Sequence, residues 1–162
     1  MAAVVLAAGA ATRYGSPKQH LLLPLVLERL HQSSVAQIVV VEGAYPLGSI
    51  GVPIATCPDW ARGPGASLRC GLGRLSDDVE AALVVLADGP DLDPRAVERV
   101  AAHWRDGDVV AASYDGERSH PVCIRRGVWQ QIPDEGARAL PALLIDCSDL
   151  TPPGDVDLLD GA

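Results

Sequence analysis

Apolar residues occur along this chain in short unbroken runs, separated by stretches with helical spacing. Ala3–Ala8, Gln37–Val41, Ala81–Ala87 and Val109–Ala112 are the clearest runs. They lack the polar alternation of a half-exposed strand, so they predict strands buried on both faces. Shorter strand candidates cover Val52–Thr56, Pro121–Ile124 and Leu144–Asp146. Over Asp93–Trp104 the period changes: Val97, Val100, Ala101 and Trp104 share one helical face. Asp93 can cap that helix, and Pro94 suits its first turn. A second helix is expected over Pro24–His31 and a third over Ser67–Leu75. Alternating strand and helix predicts a single three-layer α/β domain, a mainly parallel sheet covered on both faces. Ligands of such sheets sit beyond the carboxyl ends of the strands. The segment 151–162 is polar and turn-rich, which predicts a mobile tail.

Composition narrows the function classes. At 162 residues the chain suits one domain with a proper core, and 48% hydrophobic residues argue against disorder. Pro, Gly or charge interrupts every apolar run before it reaches membrane-spanning length. The apolar start lacks a basic leader, so no signal peptide is expected and cytoplasm is the default location. A net charge of −8 argues against bulk nucleic-acid binding, although converging cations can still hold a nucleotide. Cys57, Cys70, Cys123 and Cys147 are scattered without a Cys-x-x-Cys pair. Reduced core thiols are therefore expected rather than a zinc site. The histidines show no metal-ligand spacing.

The richest chemistry lies in Val4-Val5-Leu6-Ala7-Ala8-Gly9-Ala10-Ala11-Thr12-Arg13-Tyr14-Gly15-Ser16-Pro17-Lys18. A buried strand gives way to small residues, which let the backbone approach a ligand closely. Arg13 and Lys18 follow at a spacing that can reach the same ligand, making a polyphosphate cradle. Neither the Walker pattern nor the Gly-x-Gly-x-x-Gly dinucleotide pattern is present. A buried strand followed by a solvated loop is the plainer alternative. The segment resembles the Leu-Ala-Ala-Gly-x-x-x-Arg-x-Gly-x-x-Lys signature of nucleotidyltransferases. Within these it is most similar to the molybdenum cofactor cytidylyltransferase and guanylyltransferase group. The resemblance implies a Rossmann-like fold of nucleotidyltransferase type. It also implies a nucleotide site at Leu6, Ala7, Ala8 and Gly9, with Arg13 and Lys18 acting in catalysis.

Later segments extend the resemblance in matching order. Leu83-Val84-Val85-Leu86-Ala87-Asp88-Gly89-Pro90 ends an apolar run on a carboxylate, a hard oxygen donor suited to Mg²⁺. The family carries Leu-Ala-Asp-Met-Pro here with its Asp on the metal, so Asp88 is implied as a catalytic metal ligand. Gly89 departs from that pattern and is expected to loosen the turn. A capped turn is the competing reading of Asp88. Gly63-Pro64-Gly65-Ala66-Ser67-Leu68-Arg69-Cys70-Gly71-Leu72 is similar to the family's Gly-Met-Ser-x-Ser-Leu-Arg-x-Gly-Leu, which borders the nucleotide. A loop that opens a helix presents free N–H groups, and Ser67 adds a hydroxyl. Ser67 and Arg69 are thus implied in nucleotide binding, against the alternative of a surface ion pair for Arg69.

His120-Pro121-Val122 and Gly136-Ala137-Arg138 match segments that border the family's acceptor pocket, although Ser119 stands where Gly is usual. His120 and Arg138 are implied by the resemblance as acceptor-binding, by charge or by hydrogen bonding; a satisfied turn histidine and a solvated helix arginine are the plainer alternatives. Asp155-Val156-Asp157 is similar to a family segment whose second Asp completes the metal site, so the resemblance implies Asp157 as a second ligand with Asp88, against the alternative of an acidic mobile tail. The resemblance implies a nucleoside triphosphate donor, with CTP favoured by Leu-Ala-Ala-Gly over Leu-Ala-Gly-Gly. It further implies Mg²⁺ and a molybdopterin-type acceptor. Two alternatives remain open. One is a nucleotidyltransferase for a sugar phosphate or another small phosphorylated acceptor. The other is a non-catalytic nucleotide or cofactor carrier that serves a molybdoenzyme. Neither nucleic acid nor membrane is an expected partner.

Overall fold

The computed structural model describes residues 1–9 and 18–154. Chain order is β1 (Ala2–Leu6), α1 (Lys18–His31), β2 (Gln37–Glu42), β3 (Ile54–Thr56), α2 (Pro64–Leu72), β4 (Ala81–Leu86), α3 (Pro94–Ala102), β5 (Val109–Tyr114), β6 (Glu117–Arg125) and β7 (Leu143–Asp146). Among the described residues the strands form a seven-stranded sheet in the order β3-β2-β1-β4-β6-β5-β7. Adjacent pairs are parallel except where β6 lies antiparallel to β4 and β5. The sheet is thus mainly parallel, and each apolar run of the sequence is one of its strands.

Alternation within the strands divides the core between two faces. Val5, Val40, Leu83 and Val110 pack with Leu23, Val26 and Leu30 of α1 and with Val97 and Val100 of α3. Val4, Val39, Val84 and Ala111 pack with Leu68 and Leu72 of α2 on the opposite face. Asp93 caps α3 as its position predicts, accepting a bond from the Arg95 amide at 2.8 Å. The four cysteines are free; Cys57, Cys123 and Cys147 are buried and Cys70 is half-buried.

Two helices begin earlier than their sequence suggests. α1 starts at Lys18 and carries Pro24 in its interior. An interior proline costs about 3 kcal/mol. Burial of Leu23, Val26, Leu27 and Leu30 against the sheet outweighs that cost. α2 starts at Pro64 rather than Ser67, with Gly63 as its N-cap at φ 135°. Pro64 fills the first position, where a missing N–H costs nothing.

Candidate active site

The site lies at the carboxyl ends of β1 and β4, as this architecture predicts. A cavity of about 330 Å³ opens there, lined by Leu6, Ala8, Gly9, Ser67 and Asp88 among others. Ala8 sits on the α2 side of the sheet, whereas Ala7 turns into the opposite core. The Ala7 amide donates to the Val41 carbonyl at 3.0 Å, and the Ala8 carbonyl accepts from Ala44 at 3.2 Å. The first loop therefore leaves the sheet held on both sides of Ala7. Trp60 completes one wall. It packs so closely on Gly43 that a β-carbon there would lie 2.5 Å from its own. Asp88 follows the last residues of β4 and is half-buried. Lys18 is the first residue of α1. Arg13 and Asp157 lie outside the described residues.

A larger cavity of about 530 Å³ adjoins the first and shares Leu6, Pro64 and Leu86 with it. His120, Arg138, Ser119 and Arg118 line it. The reversed direction of β6 explains why. Val84 pairs with Val122, so β6 runs back past the carboxyl end of β4, where Leu86 and His120 line the cavity together. Burial and the neighbouring Arg118 charge push the His120 imidazole down to about 4. His120 is thus a neutral hydrogen-bonding group near pH 7, and the cations lining this cavity are Arg118 and the exposed Arg138.

Arg118 did not stand out in the sequence, although it was the partner to look for. It lies two residues before His120 in β6 and lines the same cavity. Its guanidinium donates to the carbonyls of Leu140 at 2.6 Å and Ala137 at 2.9 Å. It therefore ties down the turn that carries Arg138. Burial lowers its pKa from the ordinary arginine value.

The α2 segment differs from the expectation of free N–H groups. The Gly65 amide donates to the Asp134 carbonyl at 2.9 Å, while the Ala66 and Ser67 amides turn back to Gly63. Ser67 is buried and lines the smaller cavity. Arg69 lines neither cavity. Its guanidinium donates to the Ile132 carbonyl and to the Asp134 carboxylate, the latter at 2.6 Å. The structure brings Ala8, Gly9, Ser67 and Asp88 together, sets His120 and Arg138 beside them, and commits Arg69 to the loop between.

Gly89 also acquires a role. A β-carbon there would lie 3.2 Å from both the Pro153 side chain and the Gly154 carbonyl. The Asp91 amide donates to the Pro153 carbonyl at 3.0 Å. The absent side chain thus makes room for the chain to pack against the turn after Asp88. A third cavity, of about 250 Å³, lies between this segment and His120.

The solved structures most informative here share this whole architecture. Rv0371c from Mycobacterium tuberculosis is 25% identical, covers 98% of this chain and 93% of its own, and superposes with a TM-score of 0.82. The same protein in complex with manganese gives 23% identity, 98% and 94% coverage and a TM-score of 0.77. The CMP:2-keto-3-deoxy-manno-octonic acid synthetase complexed with CTP shares the fold at 14% identity, with 99% and 95% coverage and a TM-score of 0.76. No curated protein matches the sequence. No helix among the described residues is long and apolar enough to cross a membrane. The family model of the MobA-like NTP transferase domain matches residues 3–145, most of the chain, and the chain belongs to that nucleotidyltransferase family.

Proposed function

We propose that this protein transfers a nucleoside monophosphate from a triphosphate, CTP foremost, to the phosphate of a molybdopterin-type acceptor. An acceptor phosphate oxygen attacks the α-phosphorus, a new phosphoanhydride bond forms, and pyrophosphate leaves. The observation that carries this reading is the pair of adjoining cavities sharing Leu6, Pro64 and Leu86. One offers a small-residue strand end that lets a backbone approach a triphosphate, and a carboxylate that could meet it through a divalent cation. The other offers His120 and Arg138, which suit a phosphorylated acceptor of substantial size.

No protein nucleophile is needed. Leu6, Ala7, Ala8 and Gly9 let the backbone approach the nucleotide, and Ser67 supplies a hydroxyl on the facing wall. Arg13 and Lys18 bring cations to the phosphates and offset the charge that develops in the transition state. Ala8, in the position of a glycine in the purine-leaning form, favours the smaller base. A divalent cation belongs to this reading. Among the described residues no three His, Cys, Asp or Glu side chains gather. A single carboxylate at an open cavity suits Mg²⁺, which retains water and takes phosphate oxygens. Asp88 would anchor it and Asp157 would serve as its second ligand. Bound there, the ion would neutralise charge on the triphosphate oxygens.

The deciding experiment offers each of the four triphosphates with molybdopterin or a panel of sugar phosphates and measures pyrophosphate. The expected result is Mg²⁺-dependent release with CTP and molybdopterin, nearly abolished in Asp88→Asn. Release only with a sugar phosphate would change the acceptor. Nucleotide binding without turnover would make the protein a carrier. Wild-type turnover in Asp88→Asn would remove Asp88 from the metal site.

A further inference from the structure

We propose that Asp134 is a positioning residue: it locks the loop bearing Arg138 onto the amino-terminal end of α2, and so fixes the acceptor-side cavity relative to the nucleotide-side cavity. This inference rests on the two-cavity reading above.

Three contacts converge on Asp134. Its carboxylate accepts from Arg69 at 2.6 Å and from Arg62 at 3.2 Å. Its carbonyl accepts from the Gly65 amide at 2.9 Å. Arg69 binds the same loop a second time at the Ile132 carbonyl. The two backbones touch without side chains between them. A β-carbon on Gly65 would lie 1.7 Å from the Pro133 carbonyl oxygen, and one on Gly63 would lie 2.3 Å from that of Asp134. Gly136, at φ 98°, rests against Pro64. The guanidinium of Arg69 is thereby spent within the protein. Its hydrogen bond, and that of Arg62, hold the Asp134 carboxyl below the usual range.

The placement of this junction gives it a function. Pro64 lines both cavities, and Glu135, Gly136, Ala137 and Arg138 line the larger one. Any slip of the loop along α2 moves Arg138 relative to Asp88 and Gly9. An in-line transfer requires the acceptor oxygen to meet the α-phosphorus, and a misplacement of about 1 Å can cost about 10²-fold in rate. Asp134 thus acts on geometry between substrates, and Arg69 acts through it rather than on the nucleotide.

The test compares Asp134→Ala, Asp134→Asn, Arg69→Ala and the double alanine variant. Calorimetry with CTP and Mg²⁺ gives nucleotide affinity. Turnover of CTP with molybdopterin gives kcat and KM. We expect CTP affinity within about twofold of wild type throughout, and kcat lower by about 10- to 100-fold in each alanine variant. The double variant should be no worse than the poorer single, because the two side chains form one unit. Asp134→Asn keeps an oxygen for Arg69 and should recover part of the rate; it also decides the matter if Asp134→Ala does not fold. A tenfold loss of CTP affinity in Arg69→Ala, absent from Asp134→Ala, would make Arg69 a nucleotide ligand and overturn the proposal. Additive losses or unchanged kcat would overturn it as well. Should the wild type form no product with any acceptor, the functional reading fails, and hydrogen exchange still tests the lock. Faster exchange over residues 132–139 in the Asp134 variants, with the strands unchanged, upholds it, and unchanged exchange overturns it.

Discussion

His120 enters its cavity uncharged, and this has a measurable consequence. An unfolded imidazole takes up a proton at about 6.5, whereas in the fold that value falls to about 4. Between these values the unfolded chain holds the extra proton. Stability is therefore present above pH 6.5 and drains away as pH falls toward 4. Asp93, Asp134 and Asp149 are held low chiefly by Arg95, Arg69 and Arg99, so their contributions are lost only below their ordinary 3.8. The two windows separate. Urea midpoints measured from pH 7 to pH 4 should fall in the wild type and fall less in His120→Gln; equal slopes would assign the drop elsewhere. Lys18 offers a binding prediction at the same scale. Lys18→Ala should weaken triphosphate affinity by roughly 1.5–3 kcal/mol, the usual worth of a charge-assisted bond, while the melting curve hardly moves. Calorimetric titration reads the first and thermal denaturation the second. At this scale the sequence made the position of Leu6–Gly9 and Asp88 at strand ends readable, because each follows an unbroken apolar run. It was not legible for Arg69, whose partner Asp134 stands far along the chain, nor for the lone Arg118 and Trp60.

The strands were readable because a strand buried on both faces must be apolar throughout, and little else in a chain this acidic is. Orientation was not readable, since nothing within β6 marks it as antiparallel; direction is set by its partners. Helix starts were misplaced for a related reason. Pro24 looks like a beginning, and only the burial of Leu23 and Leu27 on either side of it reveals a helix passing through. α2 tells most about packing. A β-carbon on Gly71 would lie 2.6 Å from methyl groups of both Val4 and Val41. The helix therefore lies on β1 and β2 at a distance that only glycine permits. Gly71→Ala should destabilise by about 1–3 kcal/mol, the usual cost of overpacking, read as a lower urea midpoint with unchanged slope. A neutral outcome would mean that the helix can lift without loss.

Across the whole molecule, the segment ending at Gly154 is tied back to the turn after Asp88. The first part of the tail is therefore packed, through Asp91 and Gly89. Gly89→Val would drive methyl groups into Pro153 and Gly154. Limited proteolysis should then cut beyond Leu150 sooner, while the strands keep their protection; identical digestion patterns would show that the turn yields instead. The reversal of β6 has a wider consequence. It delivers Arg118, Ser119 and His120 to the larger cavity on one strand, with Arg118 paired to Ser113, whereas the smaller cavity takes Gly9 and Asp88 from loops. Loops accept insertions, but a paired strand does not, because one added residue flips every side chain beyond it. A lineage built on this sheet can lengthen the wall around one cavity freely. In the other it can retune the strand wall only by exchanging residues in place, one letter at a time, and must look to the turn at Glu135–Arg138 for anything longer.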